Sequence, residues 1–128
     1  MPKEMTYSLD ASHDRFIRVN VSGEITKAKL VNAMSELMSH PQYTDKHSLW
    51  DLSNARLGLT IGDLKEITAI LRLYRPEKDD FANHAAILVP GEMHRAVADL
   101  FIAMTKMLPF EYSAFNEIND AIAFLSSR

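Results

Sequence analysis

Segments whose apolar residues recur at every second position alternate along this chain with segments whose apolar residues recur every three or four, and glycine or proline stands at most of the junctions. The first pattern lets a strand hide one face and the second lets a helix do so. A chain built this way is restricted to layered sheet-and-helix folds. Met5 to Leu9 is short and strand-compatible, and Ser12-His13-Asp14 is turn-like. From Arg15 to Ser22, Ile17, Val19 and Val21 alternate with Phe16, Arg18, Asn20 and Ser22, as in a strand with one buried face. Two strands this close should pair as an antiparallel hairpin. Gly23 is read as the end of the second strand. Thr26 then suits a helix N-cap, and Leu30, Met34, Leu37 and Met38 follow at helical spacing until Pro41.

The same alternation continues. His47 to Leu52 reads as a short strand, and Ser53 to Leu59 as a loop containing Gly58. Thr60 and Asp63 resemble a capping box with aspartate in place of the usual glutamate. Leu64, Ile67, Leu71 and Tyr74 form a helical stripe that Ile70 and Leu73 widen, and Pro76 closes it. Ala85 to Val89 is a nearly continuous apolar run, as in a strand covered on both faces, and Pro90-Gly91 breaks it. Val97, Leu100, Phe101, Met104 and Leu108 give the face of a third helix, with Ile102 off that face and Pro109 after it. Phe110 to Phe115 alternates as a strand, and Ile118, Ala121, Ile122 and Leu125 suit a final helix. The order ββαβαβαβα predicts an α/β fold: a small, mixed, mostly parallel open sheet of about five strands flanked by about four helices. With no repeat, linker or low-complexity stretch, residues 1–128 are read as a single domain.

Composition narrows the function classes. A chain of 128 residues has the common size of one domain, large enough to fold without metal or disulfides. It has no cysteine, which removes thiolate chemistry and cysteine-ligated metal sites and fits a reducing compartment. The start of the chain lacks the apolar core of a signal peptide, and no apolar run approaches a membrane span. A cytoplasmic location is the resulting expectation. The formal net charge of −3 offers no basic face for nucleic acid. The five histidines show no metal-ligand spacing, and four glycines form no phosphate-cradling loop or nucleophile elbow. No catalytic residues, metal or cofactor are assigned on this basis.

Two stretches carry a family resemblance. Phe16-Ile17-Arg18-Val19-Asn20-Val21-Ser22-Gly23-Glu24-Ile25-Thr26 and Leu49-Trp50-Asp51-Leu52-Ser53 are similar to the strand, Gly-Glu-Ile turn and Asp-Leu-Ser strand of STAS-type domains. More narrowly, the chain resembles the small bacterial SpoIIAA-like proteins, grouped structurally with CRAL-TRIO domains. Phe115 and Ala121 to Leu125 suit the last strand and helix of that family. The resemblance implies a regulatory interaction module. In the anti-anti-sigma factors of this family an Asp-Ser-Ser-Gly-like turn carries a phosphorylatable serine. Here Asn54-Ala55-Arg56-Leu57-Gly58-Leu59-Thr60-Ile61-Gly62 stands in that place and has no such turn.

Seven residues are carried forward as a candidate partner or ligand surface: Asp51, Arg56, Thr60, Ile70, Arg72, Leu73 and Arg75. Asp51 ends an expected strand, where carboxylates of α/β sheets often face a cleft, although bonding to the following loop is its simpler role. Thr60 is read as an N-cap, the alternative being a phosphate held by free amides. Arg56, Arg72 and Arg75 together could receive an anionic group. Ile70 and Leu73 could meet a protein partner, a second copy in a homodimer or, as the CRAL-TRIO relationship implies, a lipophilic small molecule. Met93, Met104 and Met107 add adaptable surface.

Overall fold

A computed structural model describes residues 3–73, 83–106 and 110–127. Its elements are β1 (Thr6–Asp10), β2 (Phe16–Ile25), α1 (Lys27–Met38), a 3-10 turn (Tyr43–Asp45), β3 (His47–Leu57), α2 (Ile61–Arg72), β4 (Asn83–Leu88), α3 (Gly91–Met104), β5 (Phe110–Phe115) and α4 (Ile118–Ser126). The five strands form one sheet in sequence order, β1-β2-β3-β4-β5. β1 pairs antiparallel with β2, and every other pairing is parallel. The α/β class and the mixed, mostly parallel sheet are as the sequence patterns predicted. Tyr74, Arg75, Pro76, Met107, Leu108 and Pro109 lie outside the described residues.

The pleat sorts the side chains between two cores. Ile17, Val19, Val21, Trp50, Leu52, Ala85 and Ile87 face one side, where α1 brings Ala33, Met34 and Leu37, α2 brings Ile67 and Leu71, and α3 brings Ala98. Phe16, Leu49, Ala86 and Leu88 face the other side, where α4 brings the fully buried Ala121 and Leu125. Three helices therefore cover one face and a single helix covers part of the other. Beyond the reach of α4 that second face is polar, with Arg18, Asn20, Ser22 and Asp51 on it.

Three sequence expectations are corrected and one element is new. Gly23 does not end the second strand, because β2 continues to Ile25. Gly23 takes a positive φ of 84°, which kinks the strand where the N-terminal segment crosses it. There Glu24 N–H donates to the Lys3 carbonyl at 2.9 Å. Ser53 to Leu57 is strand rather than loop: Asn54, Ala55, Arg56 and Leu57 pair with Ser22, Gly23, Glu24 and Ile25. One extra β3 residue between Asp51 and Asn54 makes a bulge, which interrupts the period of two and hides the strand from pattern reading. In α3 the phase is rotated, so that Ile102 packs toward the core while Leu100 is 39% exposed. The 3-10 turn that buries Tyr43 has no counterpart among the expectations.

Helix starts follow local chemistry. Thr26 Oγ1 accepts from Lys29 N–H, and Thr60 makes the capping box expected of it. α3 and α4 have no side-chain N-cap bond. Their entry turns are instead tied together by Asn116, whose Nδ2 donates to the Val89 carbonyl at 2.9 Å and the Gly91 carbonyl at 3.2 Å.

A Cβ at position 23 would collide with the backbone of Glu4 and Lys3, and the φ there disfavours any side chain. Gly23→Ala should destabilise the fold by about 2 kcal/mol or more. Urea denaturation checks this; an unchanged midpoint would mean that the crossing segment gives way freely.

Candidate functional site

α2 is stripe-built, with Leu64, Ile67, Thr68 and Leu71 buried, so the residues between them must face outward. Ile61 is 59% exposed, Ile70 44% and Leu73 80%; on α3, Met93 is 80% exposed. With Leu100, these are all the exposed large apolar side chains among the described residues, and every one lies on α2 or α3. Glu66, Ile70 and Leu73 share one side of α2 at spacings of four and three. Glu66 is ion-paired to Lys27 of α1, which turns that side toward the α1–α2 seam.

The six sequence candidates among the described residues do not converge. Asp51 lies on the sheet face opposite α2. Arg56 and Thr60 lie at the N-terminal end of α2, Arg56 in register with Glu24 of β2. Ile70, Arg72 and Leu73 lie at its C-terminal end. Twelve helical residues at 1.5 Å each put about 18 Å between those ends. The structure therefore does not bring Arg56 and Arg72 together as one anion site. Arg75 lies outside the described residues.

At the start of α2, Thr60 Oγ1 accepts from Asp63 N–H and Asp63 Oδ2 accepts from Thr60 N–H, each at 3.0 Å. This reciprocal pair satisfies two of the amides that an anion would otherwise use, and the Asp63 carboxylate repels added negative charge.

Asp51 is part of a local bonded group. Its Oδ1 accepts from Ser53 N–H at 3.1 Å and from Ser53 Oγ at 2.5 Å, and its Oδ2 accepts from Arg18 at 2.5 Å. Burial alone would raise its pKa, but the bonds from Ser53 and Arg18 outweigh burial and hold it below the usual value. Arg18 Nε is a buried donor without a partner. Sequence reasoning placed Arg18 correctly on the polar side of its strand but did not pair it with Asp51, since the two are 33 residues apart. Around this group a depression of about 280 Å³ is lined by Thr6, Ser8, Asn20, Ser22, Asp51 and Asn54.

The histidines do not assemble a metal centre. His84 Nε2 lies 2.8 Å from Glu111 Oε2, and His84 N–H donates to His47 Nδ1 at 3.1 Å. Among the described residues no group of three His, Asp or Glu side chains is placed to hold a metal ion.

Between the sheet and helices α1, α2 and α3 lies a cavity of about 80 Å³. Its walls include Met34, Met38, Trp50, Leu64, Ile67 and Phe101, with hydroxyl-bearing Tyr43, Ser48 and Tyr112 at intervals. Burial pushes the Tyr112 phenol well above its usual pKa, so it stays neutral. At roughly 24 cal/mol per Å³, an empty space of this size costs about 2 kcal/mol. The strand periodicity named several of the walls but gave no sign that they fail to meet.

This layering, with three helices on one face of a five-stranded mixed sheet and one on the other, defines a SpoIIAA-like, STAS-type fold. Among solved structures the chain is similar to an anti-sigma factor antagonist from Mycobacterium paratuberculosis, with a TM-score of 0.64 and 19% identity over 96% of this chain and 95% of that one. It is also similar to an uncharacterized protein of the DUF3478 family with a SpoIIAA-like fold from Shewanella loihica PV-4, with a TM-score of 0.58 and 15% identity over 94% and 93% of the two chains. No family model matches the sequence, and no curated protein matches it.

Two measurements check these local assignments. Thr60→Ala should cost about 1 kcal/mol, the usual worth of an N-cap, in thermal or urea unfolding. For Asp51, a folded pKa below the unfolded value means that stability is present above the unfolded pKa and is lost as pH falls through the folded one. Asp51→Asn should therefore cost about 2 kcal/mol at neutral pH, a figure already reduced because the Arg18 side chain is 37% exposed and screened. The gap between variant and parent should begin to narrow below pH ~4 and close only once pH falls below the lowered folded pKa; a gap that does not narrow at all as pH falls through that range would rule out the charged pair as its source.

Proposed function

We propose that this protein is a non-catalytic regulatory module that binds a protein partner through α2 and α3. The observation that carries the reading is the confinement of every exposed large apolar side chain, among the described residues, to those two helices. Single apolar residues on a surface need no explanation, but their restriction to two neighbouring helices and the C-cap of one singles those helices out as the face for a partner. Arg72 beside Ile70 and Leu73 adds a residue type common at interface centres. The similarity to an anti-sigma factor antagonist supports a protein as the partner, since that neighbour is named for acting on one. The region Asn54 to Gly62 lacks the Asp-Ser-Ser-Gly-like turn, and the start of α2 is occupied by its own capping box, so control by phosphate at Thr60 is not part of the proposal. A cytoplasmic site of action accords with the cysteine-free sequence, and no helix among the described residues is long and apolar enough to cross a membrane.

A homodimer through the same helices is one form of this function. The apolar cavity favours a second reading, in which the protein binds a lipophilic small molecule.

Sedimentation equilibrium and affinity capture, run on the parent and on an Ile70→Asp/Leu73→Asp variant, test the surface. Both substituted residues are exposed, so fold stability should move by no more than about 0.5 kcal/mol. Self-association or partner capture should fall at least tenfold. A parent protein that stays monomeric, with capture indifferent to the double substitution, would remove α2 from the proposal.

A further inference from the structure

We propose that α3 seats a second copy of this chain, lying antiparallel against its own counterpart about a two-fold axis beside Ala98. The inference rests on the reading of α2 and α3 as a protein-binding surface and names the partner. α3 buries Ala98 and packs Phe101 and Ile102 against the core, so its opposite side meets solvent. Four exposed apolar residues stand there: Met93, Ala96, Leu100 and Ala103. Their spacing of three, four and three is that of the seam between two paired helices. The outer side of a helix that packs on a single core is ordinarily polar.

Side-chain size is self-complementary in one direction only. In the antiparallel pair Met93 meets the partner's Ala103 and Leu100 meets the partner's Ala96, and the two-fold axis repeats both contacts in reverse. Each bulky side chain faces a small one, so the helices keep an even separation. A parallel pair sets methionine against methionine and alanine against alanine. It is wedged apart at two levels and leaves gaps at the other two, which close packing disfavours.

Charge selects the same direction. Glu92, Asp99 and Lys106 follow at intervals of seven and are exposed along one flank of the seam. When the helices are antiparallel, like flanks run side by side. Glu92 then lies beside the partner's Lys106, and Lys106 beside the partner's Glu92. Asp99 comes near its own counterpart at the axis, where each carboxylate has a counter-charge on its own helix: Arg95 Nε lies 3.4 Å from Asp99 Oδ1. The other flank carries the half-buried, apolar Val97 and Met104. A parallel pair would set Glu92 and Asp99 against that apolar flank and form no ion pair. The fourteen residues of α3 span about 21 Å, or two heptads. A contact this short falls below the size of permanent dimers, so the association is weak and reversible.

Sedimentation equilibrium of the full protein over a wide concentration range tests the arrangement, with Glu92→Lys and Lys106→Glu measured alone and mixed. Both positions are exposed, so the fold should be unaffected. The parent should show a reversible monomer–dimer equilibrium. Each single reversal sets two like-charged pairs across the axis and should weaken dimerisation about tenfold. The equimolar mixture should regain the parent's affinity, because each reversed charge then faces its opposite in the other variant. Variants that dimerise like the parent, or a mixture that associates no better than its components, overturn the antiparallel seam. Ala96→Glu exchanges one good helix former for another at an exposed position and should abolish the dimer; a dimer that survives it also overturns the seam.

The Ile70→Asp/Leu73→Asp variant separates this failure from that of the underlying reading. A strictly monomeric parent sinks the seam. If its capture of a protein partner is then lost in the α2 variant, the protein-binding surface still stands; capture indifferent to that variant sinks both. A dimer lost in the α2 variant but indifferent to the α3 substitutions puts the second copy on α2 and overturns the arrangement proposed here.

Discussion

The parallel pairing of β2 with β3 carries the rest of the structure. It joins Phe16–Ile25 to His47–Leu57, and parallel neighbours require a crossover, which α1 supplies. β3 pairs with β4 only from Ser48 to Asp51. Past the bulge, β3 continues beside β2 without β4, and this extension places the turn that leads into α2. Gly23 makes the extension compatible with the N-terminal segment crossing over it. The same extension brings Leu57 and Leu59 to one end of the apolar cavity. The position of the capping box, the direction of α2 and the closure of the cavity all follow from that one ladder.

The unequal covering of the two faces sets what each can do. On the three-helix side, bulky strand residues meet bulky helix residues, and the small volume left between them is apolar. On the other side α4 is nine residues long and covers only the region around Phe16, Leu49, Ala86 and Leu88. Outside its footprint the strands must present groups that water can solvate. Asp51 sits at that margin, too buried to be left unpaired, and Arg18 with Ser53 keeps it ionised. Its place is that of an ionised carboxylate paired with Arg18 and hydrogen-bonded by Ser53.

Function, on the reading favoured here, lives on helix surfaces rather than at a reaction centre. α2 uses one side to fill the core and leaves Ile70 and Leu73 exposed on the side that also carries Glu66, the ion-pair partner of Lys27 on α1. The partner surface and the cavity therefore share a helix. Ile67, a cavity wall, lies three residues from exposed Ile70.

The element types, their order and the parallel character of the sheet were legible in the sequence because hydrophobic period is a local property that burial enforces on each segment separately. Thr26 and Thr60 were legible as caps for the same reason: an N-cap bond spans only three residues. The length of β3 was not, since Ser53 and Asn54 read as a turn until the β2 ladder claims the residues after them. Nor was the scatter of the six described candidate residues over two faces and both ends of α2, because a helix converts twelve positions in sequence into about 18 Å of separation. The pairing of Arg18 with Asp51 and the unfilled space beside Trp50 belong to the tertiary structure alone. Both depend on how distant segments meet, and no periodicity within one segment encodes whether its neighbours fill the space between them.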